Sequence, residues 1–417
     1  MKESFTRSQI FVVALLGFLQ FTVVLDFMIL SPLGAILLEK LGVNPAQFGL
    51  VVSAYAFSAG TSGLLAAGFA DRFDRKKFLL FFYVGFVFGT FLCAIAPTYR
   101  FLLAARVVTG LFGGVIGSIS FAIVADLFPL SMRGRVLGIV QSAFAASQIL
   151  GVPIGLYLAA NWGWHAPFLM IVGVSVIVGL AIVFRLQPIA GHLAAAGGER
   201  RSPTRHLLYT ATRPRYLAGF AATMLLATGG FMLMPFGSTF LVQNLQIPFE
   251  KLPIIYMITG SVTILAGPLL GRLSDSVGNY RTFVAGTVWT GCTVLWFTRL
   301  ASASLPFVIA LNVVMFVGIS ARMVSSLALS SALPAVSERG AYMAISSSLQ
   351  QFSGGIATWS AGLIVHQATP TSPLDGYPRL GVVVVVTMVL TLALMFNVNR
   401  LVKLGGPLAP REGAAPS

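Results

Sequence analysis

Ionisable side chains are scarce in this chain: 9% of its 417 residues are Asp, Glu, Lys or Arg, and 12 are acidic. A soluble domain needs roughly 25% charged residues, so that class is excluded. There are two cysteines, Cys93 and Cys292, too few for a disulfide framework. Both lie in apolar runs, where a thiol packs as a small hydrophobe. The four histidines, His165, His192, His206 and His366, fall at run ends or between runs. No metal-ligand spacing, nucleotide loop or nucleophile motif is visible, so the sequence predicts no metal, no cofactor and no enzyme.

What is present is apolar: 57% of the residues are hydrophobic and the mean hydropathy is +0.88. The apolar runs are about 20 residues long, the length a helix needs to cross a hydrocarbon core of roughly 30 Å. Twelve are recognisable, at 10–32, 47–69, 78–97, 101–127, 136–160, 165–186, 216–242, 252–273, 282–299, 306–330, 341–366 and 380–402. They lack the period-2 alternation of a barrel strand. The first is too long for a cleaved signal and has no small-residue cleavage site, so it reads as helix 1. The expected fold class is an all-α membrane protein.

A net charge of +15 would suggest nucleic acid in a soluble chain. Its distribution suggests a membrane. With a cytoplasmic N-terminus, 20 Lys and Arg fall in cytoplasmic segments, and five (Lys40, Arg100, Lys251, Arg299, Arg379) fall in outer loops. Arg106 and Arg322 fall inside helices. This is the positive-inside bias of a multi-pass protein of the plasma (bacterial inner) membrane with both termini cytoplasmic. The expected partners of the basic surface are anionic membrane lipids, and no nucleic-acid module is visible.

The chain also repeats itself. Asp71, in Ala67-Gly68-Phe69-Ala70-Asp71-Arg72-Phe73-Asp74-Arg75-Lys76, and Asp275, in Gly271-Arg272-Leu273-Ser274-Asp275-Ser276-Val277-Gly278, occupy charged turns roughly 200 positions apart. Met132-Arg133-Gly134-Arg135 and Glu338-Arg339-Gly340 form a second echo at a similar offset. The expected organisation is an N-terminal six-helix bundle at 1–186 and a cytoplasmic linker at 187–215, with a short surface helix near 205–212. A C-terminal six-helix bundle at 216–402 and a disordered tail at 403–417 complete it. Many transporters build a binding site between two such halves.

Six plus six helices, a basic central loop and the doubled turn resemble the major facilitator superfamily over essentially the whole chain. That family's loop between helices 2 and 3 follows G-x-L-A-D-R-x-G-R-K. This chain keeps Asp71, Arg72, Arg75 and Lys76 but has Ala67, Phe69 and Asp74 where Gly, Leu and Gly are usual. The later copy keeps Gly271, Leu273, Asp275 and Gly278 and loses most basic residues. The resemblance implies two pseudo-symmetric bundles alternating access around a midplane cavity, most like the twelve-helix drug/proton antiporters. The expected unit is a monomer.

Asp26 is the acid placed deepest in a run, with no base nearby in sequence. A charge at a helix centre costs roughly 2.5–3.5 kcal/mol on insertion scales, so it faces a polar cavity or a partner. Two roles fit: a proton carrier, or a permanently paired carboxylate that holds helices together. Arg106 lies at similar depth in helix 4, ahead of Gly110, Gly113 and Gly117, and is the natural counterpart. The alternatives are outward snorkelling for Arg106 and plain close packing for the glycines. Drug/proton antiporters of the resembled family often carry an acid in helix 1 and an arginine before a glycine-rich stretch in helix 4. Arg322 lies nearer the cytoplasm and is expected to snorkel to the inner surface. The position matching Arg106 in the second half is Asn312.

Helix 5 carries Gly151, Pro153 and Gly155, resembling the antiporters' helix-5 motif, with Val152 and Leu156 where glycines are usual. Pro153 frees a carbonyl, which predicts a hinge. An inner gate is expected from Asp71, Arg72 and Arg75 with Asp126, and from Gly271 and Asp275 in the copy; solvated surface charge is the alternative. Cavity candidates are Phe27, Tyr55, Gln141, Phe231, Met232, Met234, Phe236, Tyr256 and Asn312, any of which could equally be ordinary packing. A mostly apolar and aromatic cavity suits amphipathic or lipophilic small molecules. The expected function is a proton-coupled exporter exchanging protons for them, with a sugar or small-metabolite exporter or symporter as the alternative. A membrane enzyme or receptor would need a catalytic constellation or an added domain, and the sequence has neither.

Overall fold

The computed structural model describes residues 5–67, 73–190, 208–335 and 338–404, the side chains of Ala67, Leu130 and Ser131 aside. Asp71, Arg72, most of the expected linker and nearly all of the expected tail lie outside the described residues. Twelve long helices carry the rest: α1 (Arg7–Ile29), α2 (Pro45–Ala67), α3 (Arg75–Ala94), α4 (Tyr99–Leu127), α5 (Leu130–Ala146, continued by Val152–Trp162), α6 (Ala166–Arg185), α7 (from Pro214–Leu233 to Phe240–Asn244), α8 (Leu252–Val277), α9 (Asn279–Phe297), α10 (Leu305–Ala332), α11 (Arg339–Ile364) and α12 (Tyr377–Leu404).

Ten of these are long and apolar enough to cross a membrane on hydropathy alone. The other two, α9 and α11, are diluted by threonine and serine. In α9 the hydroxyls of Thr287, Thr290 and Thr293 donate to the carbonyls of Phe283, Gly286 and Trp289, at 2.8, 2.7 and 3.0 Å. Each polar group is satisfied within its own helix, so the helix can still be buried. Helix starts are set by caps. Thr6 and Gln9 form a reciprocal capping box on α1. Asp74, which stands where the resembled motif has glycine, accepts from the backbone N–H of Lys76 and Lys77 and so starts α3.

Three features were not visible in hydropathy. A short helix, Gly34–Leu41, follows α1 and ends at Gly42 in the left-handed region, φ 60°. Single π turns occur at Ser147–Gly151, within α5, and at Phe240–Asn244, where α7 ends.

An even number of spans returns the chain to the face where it began, here called the terminal face. On the far face one apolar core joins both halves, including Leu30, Phe48, Phe168, Phe236, Phe240 and Tyr377. Toward the terminal face the core divides. Leu16, Tyr83 and Ile119 belong to one cluster, Phe220, Phe283 and Tyr342 to another. The halves are fused on the far side and separately packed on the other. This is the major facilitator fold, in a conformation closed at the far face.

Candidate functional site

The site grows from the crossing of α1, α2, α3 and α4. Asp26 and Arg106 have no exposed surface, and Arg106 Nη1 lies 2.7 Å from Asp26 Oδ2. The same nitrogen lies 3.4 Å from the Asp26 carbonyl oxygen. The Thr90 hydroxyl donates to Asp26 Oδ1 at 3.1 Å, so both carboxylate oxygens accept a hydrogen bond. The guanidinium carbon stands 4.6 Å from the centroid of the Tyr55 ring, a cation–π contact. Outward snorkelling of Arg106 is thereby ruled out.

The glycines of α4 make this geometry possible. A Cβ on Gly110 would fall 2.0 Å from Ser58 Oγ and 2.5 Å from the Tyr55 carbonyl oxygen, and one on Gly113 would fall 2.8 Å from the Tyr55 phenol oxygen. Bare backbone lets α2 approach until Tyr55 covers Arg106.

The pair is incomplete in one respect. Arg106 Nε and Nη2 are buried with no hydrogen-bond partner among the described residues. A planar fork with five donors is using one nitrogen. Protonating Asp26 would remove the one charge that balances the guanidinium, and leaving one buried partner uncompensated costs about 3–5 kcal/mol.

The aromatic candidates divide. Phe27 bridges the halves, with its ring 5.4 Å from Tyr55 and 5.7 Å from Phe231. Phe236 has no exposed surface and packs on Phe48, and Met232 is also buried, so both belong to the far-face core rather than to open space. Met234 and Tyr256 are half-buried against that core, and Gln141 is exposed on α5. Asn312 is buried and its amide donates to the Val308 carbonyl of its own helix at 3.1 Å, so it makes no charged counterpart to Arg106.

Arg322 overturns its expectation. It does not snorkel: it is 4% exposed and turns against α9. There its Nε donates to Thr287 Oγ1 at 3.2 Å, and its guanidinium carbon lies 5.7 Å from the Phe283 ring centroid. A hydroxyl and an aromatic face hold it where water was expected to. No carboxylate among the described residues pairs with it.

At the terminal face Arg75 Nε meets Asp126 Oδ2 at 2.9 Å, with the arginine side chain 6% exposed. Backbone N–H of Arg75 donates to the Ile189 carbonyl at 3.0 Å. Gly271 and Asp275 lie on the last turns of α8; Asp275 is exposed and makes no ion pair with a described residue. Asp71 and Arg72 are outside the described residues. A second joint was missed: Arg213 Nη2 lies 3.3 Å from Glu338 Oε1, and the Tyr216 hydroxyl donates to Glu338 and accepts from Ala335 N–H. The echo carrying Glu338 was its only sequence signal. Nothing in the sequence pointed to Thr90, or to the buried Thr22–Tyr83 hydroxyl contact at 3.1 Å one turn from Asp26.

On α5 the π turn directly precedes Pro153. A Cβ on Gly151 or Gly155 would fall 2.6 Å from Leu25 or Ile29, so these glycines let α5 press on α1 beside Asp26.

Comparison with known proteins agrees with this architecture. The chain is 28% identical over 271 residues to the uncharacterised MFS-type transporter YceJ of Bacillus subtilis (strain 168), covering 65% of this chain and 68% of that one. It is 24% identical over 243 residues to a probable sugar efflux transporter of Helicobacter acinonychis (strain Sheeba), covering 58% and 60%. It is 34% identical over 151 residues to the vacuolar membrane amino acid uptake transporter fnx2 of Schizosaccharomyces pombe (strain 972 / ATCC 24843), covering 36% of this chain and 26% of that one. In fold it is similar to the inward-facing, unoccupied crystal structure of a bacterial homologue of the human lysosomal transporter Spinster. The TM-score is 0.73 at 15% identity, over 96% of this chain and 99% of the other. The description Major Facilitator Superfamily matches residues 16–262 and again 219–414. The chain is a membrane secondary transporter and belongs to the Major Facilitator Superfamily.

Proposed function

We propose that the protein is a proton-coupled exporter of the drug/proton antiporter kind, with Asp26 as the proton carrier and Arg106 as its counter-ion. The observation that carries this reading is the ion pair with no exposed surface on either side chain. Glu338, the other buried carboxylate among the described residues, is 7% exposed and lies at the terminal face.

Coupling follows from electrostatics. In the closed arrangement the pair is neutral and both Asp26 oxygens are occupied. Adding a proton breaks one of these contacts and leaves a lone buried guanidinium, so the protonated form favours a conformation in which water or another acceptor reaches Arg106. Proton occupancy and conformation are thereby tied. The terminal face is the cytoplasmic one, by the distribution of Lys and Arg. Access would alternate by rocking residues 1–186 against 216–402 around Phe27, Tyr55 and Phe231.

The apolar and aromatic surroundings favour amphipathic or lipophilic small molecules. Relatives named for sugar efflux and amino acid uptake do not choose a substrate, and sugar or metabolite export remains the competing reading. The test is a substrate panel, lipophilic cations, neutral lipophiles and sugars, added to proteoliposomes holding a pH dye. Substrate-driven proton movement with a lipophile, absent in Asp26→Asn, supports the reading. Proton movement with sugars alone would transfer it to the alternative, and none at all would remove proton coupling.

A further inference from the structure

The two carboxylate oxygens of Asp26 are held by groups of different kinds. Oδ2 faces Arg106 Nη1 at 2.7 Å, and Oδ1 accepts from the Thr90 hydroxyl at 3.1 Å. A guanidinium has donors and no acceptor, whereas a threonine hydroxyl has one donor and two acceptor lone pairs. A proton on Oδ2 would point at the N–H of Arg106, donor against donor. A proton on Oδ1 points at Thr90 Oγ1, which can accept it.

Packing holds Thr90 in that place. It has no exposed surface. The residue before it is Gly89, where a Cβ would fall 2.7 Å from the backbone nitrogen and Oγ1 of Thr109, so bare backbone brings α3 onto α4. The Thr109 hydroxyl is occupied in its own helix, donating to the Ala105 carbonyl at 2.8 Å, and lies 3.7 Å from Cys93 Sγ. Tyr55 offers its ring to the guanidinium of Arg106 at 4.6 Å. One turn toward the terminal face, Tyr83 meets Thr22 at 3.1 Å. The other helices along α1 add no charge: α5 from 136 to 162 and α6 from 166 to 184 contain no Asp, Glu, Lys, Arg or His. Tyr157 of α5 is exposed. Arg106 and Thr90 are thus the side chains among the described residues that hydrogen-bond the carboxylate, and Thr90 is the one that can both give and take.

We propose that Thr90 is the positioning residue of the proton site, directing the proton to Asp26 Oδ1 by changing from donor to acceptor while Oδ2 stays against Arg106. The proton forms an O–H bond at Oδ1 and nothing in Thr90 breaks. Its hydroxyl turns about the Cβ–Oγ1 bond and gives its own hydrogen to a carbonyl three or four residues back, a bond that threonines in helices readily make. No side chain has to leave the buried site for the proton to bind. The role rests on the reading of Asp26 as the proton carrier.

The test is the pH profile of substrate-driven proton movement in proteoliposomes, for the full chain and for Thr90→Val, Thr90→Ala, Thr90→Ser and Asp26→Asn. Valine keeps the volume of threonine and removes both the donor and the acceptor; alanine removes the same groups with less bulk, should valine fold poorly. A hydrogen bond to a carboxylate is roughly twice as strong as one between neutral groups, so the charged form loses more than the protonated one. The midpoint of the profile is therefore expected to move to higher pH in Thr90→Val and Thr90→Ala, by about one unit. Thr90→Ser, which keeps the hydroxyl, should return it to the wild-type value. A residue that only fills space would lower stability in Thr90→Ala and leave the midpoint where it was. An unmoved midpoint in both apolar variants, or a shift in Thr90→Ser as large as theirs, overturns the role of Thr90 while leaving Asp26 as the carrier. A pH dependence that survives in Asp26→Asn removes the carrier reading, and the role of Thr90 with it.

Discussion

In the N-terminal half Arg106 is buried against Asp26, Thr90 and Tyr55. In the C-terminal half Arg322 is almost as deeply buried, yet its contacts are one hydroxyl and one aromatic ring. The same side chain is in one case half of a neutral, switchable unit and in the other a fixed charge with nothing to titrate beside it. On the proposed reading, this difference is what places coupling in the first half. Protonation can change the balance at Arg106, whereas no acid among the described residues can change it at Arg322.

The largest expected effect comes from removing one partner of the paired arginine. Asp26→Asn leaves Arg106 buried without its charge and should cost about 3–5 kcal/mol of stability, read as an earlier thermal unfolding transition in detergent. Adding Arg106→Gln should restore much of the loss, because the pair is then removed together, but should not restore proton-driven transport. A double variant no more stable than Asp26→Asn would mean the two side chains are not energetically coupled.

Asp126→Asn should come next. It removes the charge that faces Arg75, which is nearly buried at the terminal face, while the amide oxygen can still accept, and exchanging a charge-assisted hydrogen bond for a neutral one costs about 1–1.5 kcal/mol. Faster amide exchange at the start of α3, with transport reduced but still coupled to protons, is the expected readout. Arg322→Met should be smaller still, within about 1 kcal/mol or stabilising, since an apolar side chain replaces a charge that has no counter-ion among the described residues. Proton-coupled transport should persist. If Arg322→Met damages coupling as Asp26→Asn does, the contrast between the halves is wrong. Asp275→Asn, exposed and making no ion pair with a described residue, should change neither stability nor exchange.

Hydropathy made the twelve helices legible because each must hide its backbone from lipid, and that requirement is written in the length of the apolar runs. Asp26 and Arg106 were legible as exceptions to those runs. Their surroundings were not: Thr90 and Tyr55 are ordinary residues until packing brings α2 and α3 against α1. Arg322 was misread because depth along a helix says nothing about which face a side chain takes. For Phe236 and Met232 the sequence left cavity lining and ordinary packing equally open, because an aromatic or methionine lining a cavity and one filling a core have the same spacing. Asp74, a departure from the resembled motif, made sense once it was seen capping α3.

The most direct test of the central claim is substrate-linked proton movement in proteoliposomes, comparing the wild-type chain with Asp26→Asn and following energy-independent substrate exchange in the same vesicles. The account predicts that Asp26→Asn keeps exchange and loses proton movement. Proton movement per substrate equal to wild type in Asp26→Asn would contradict it.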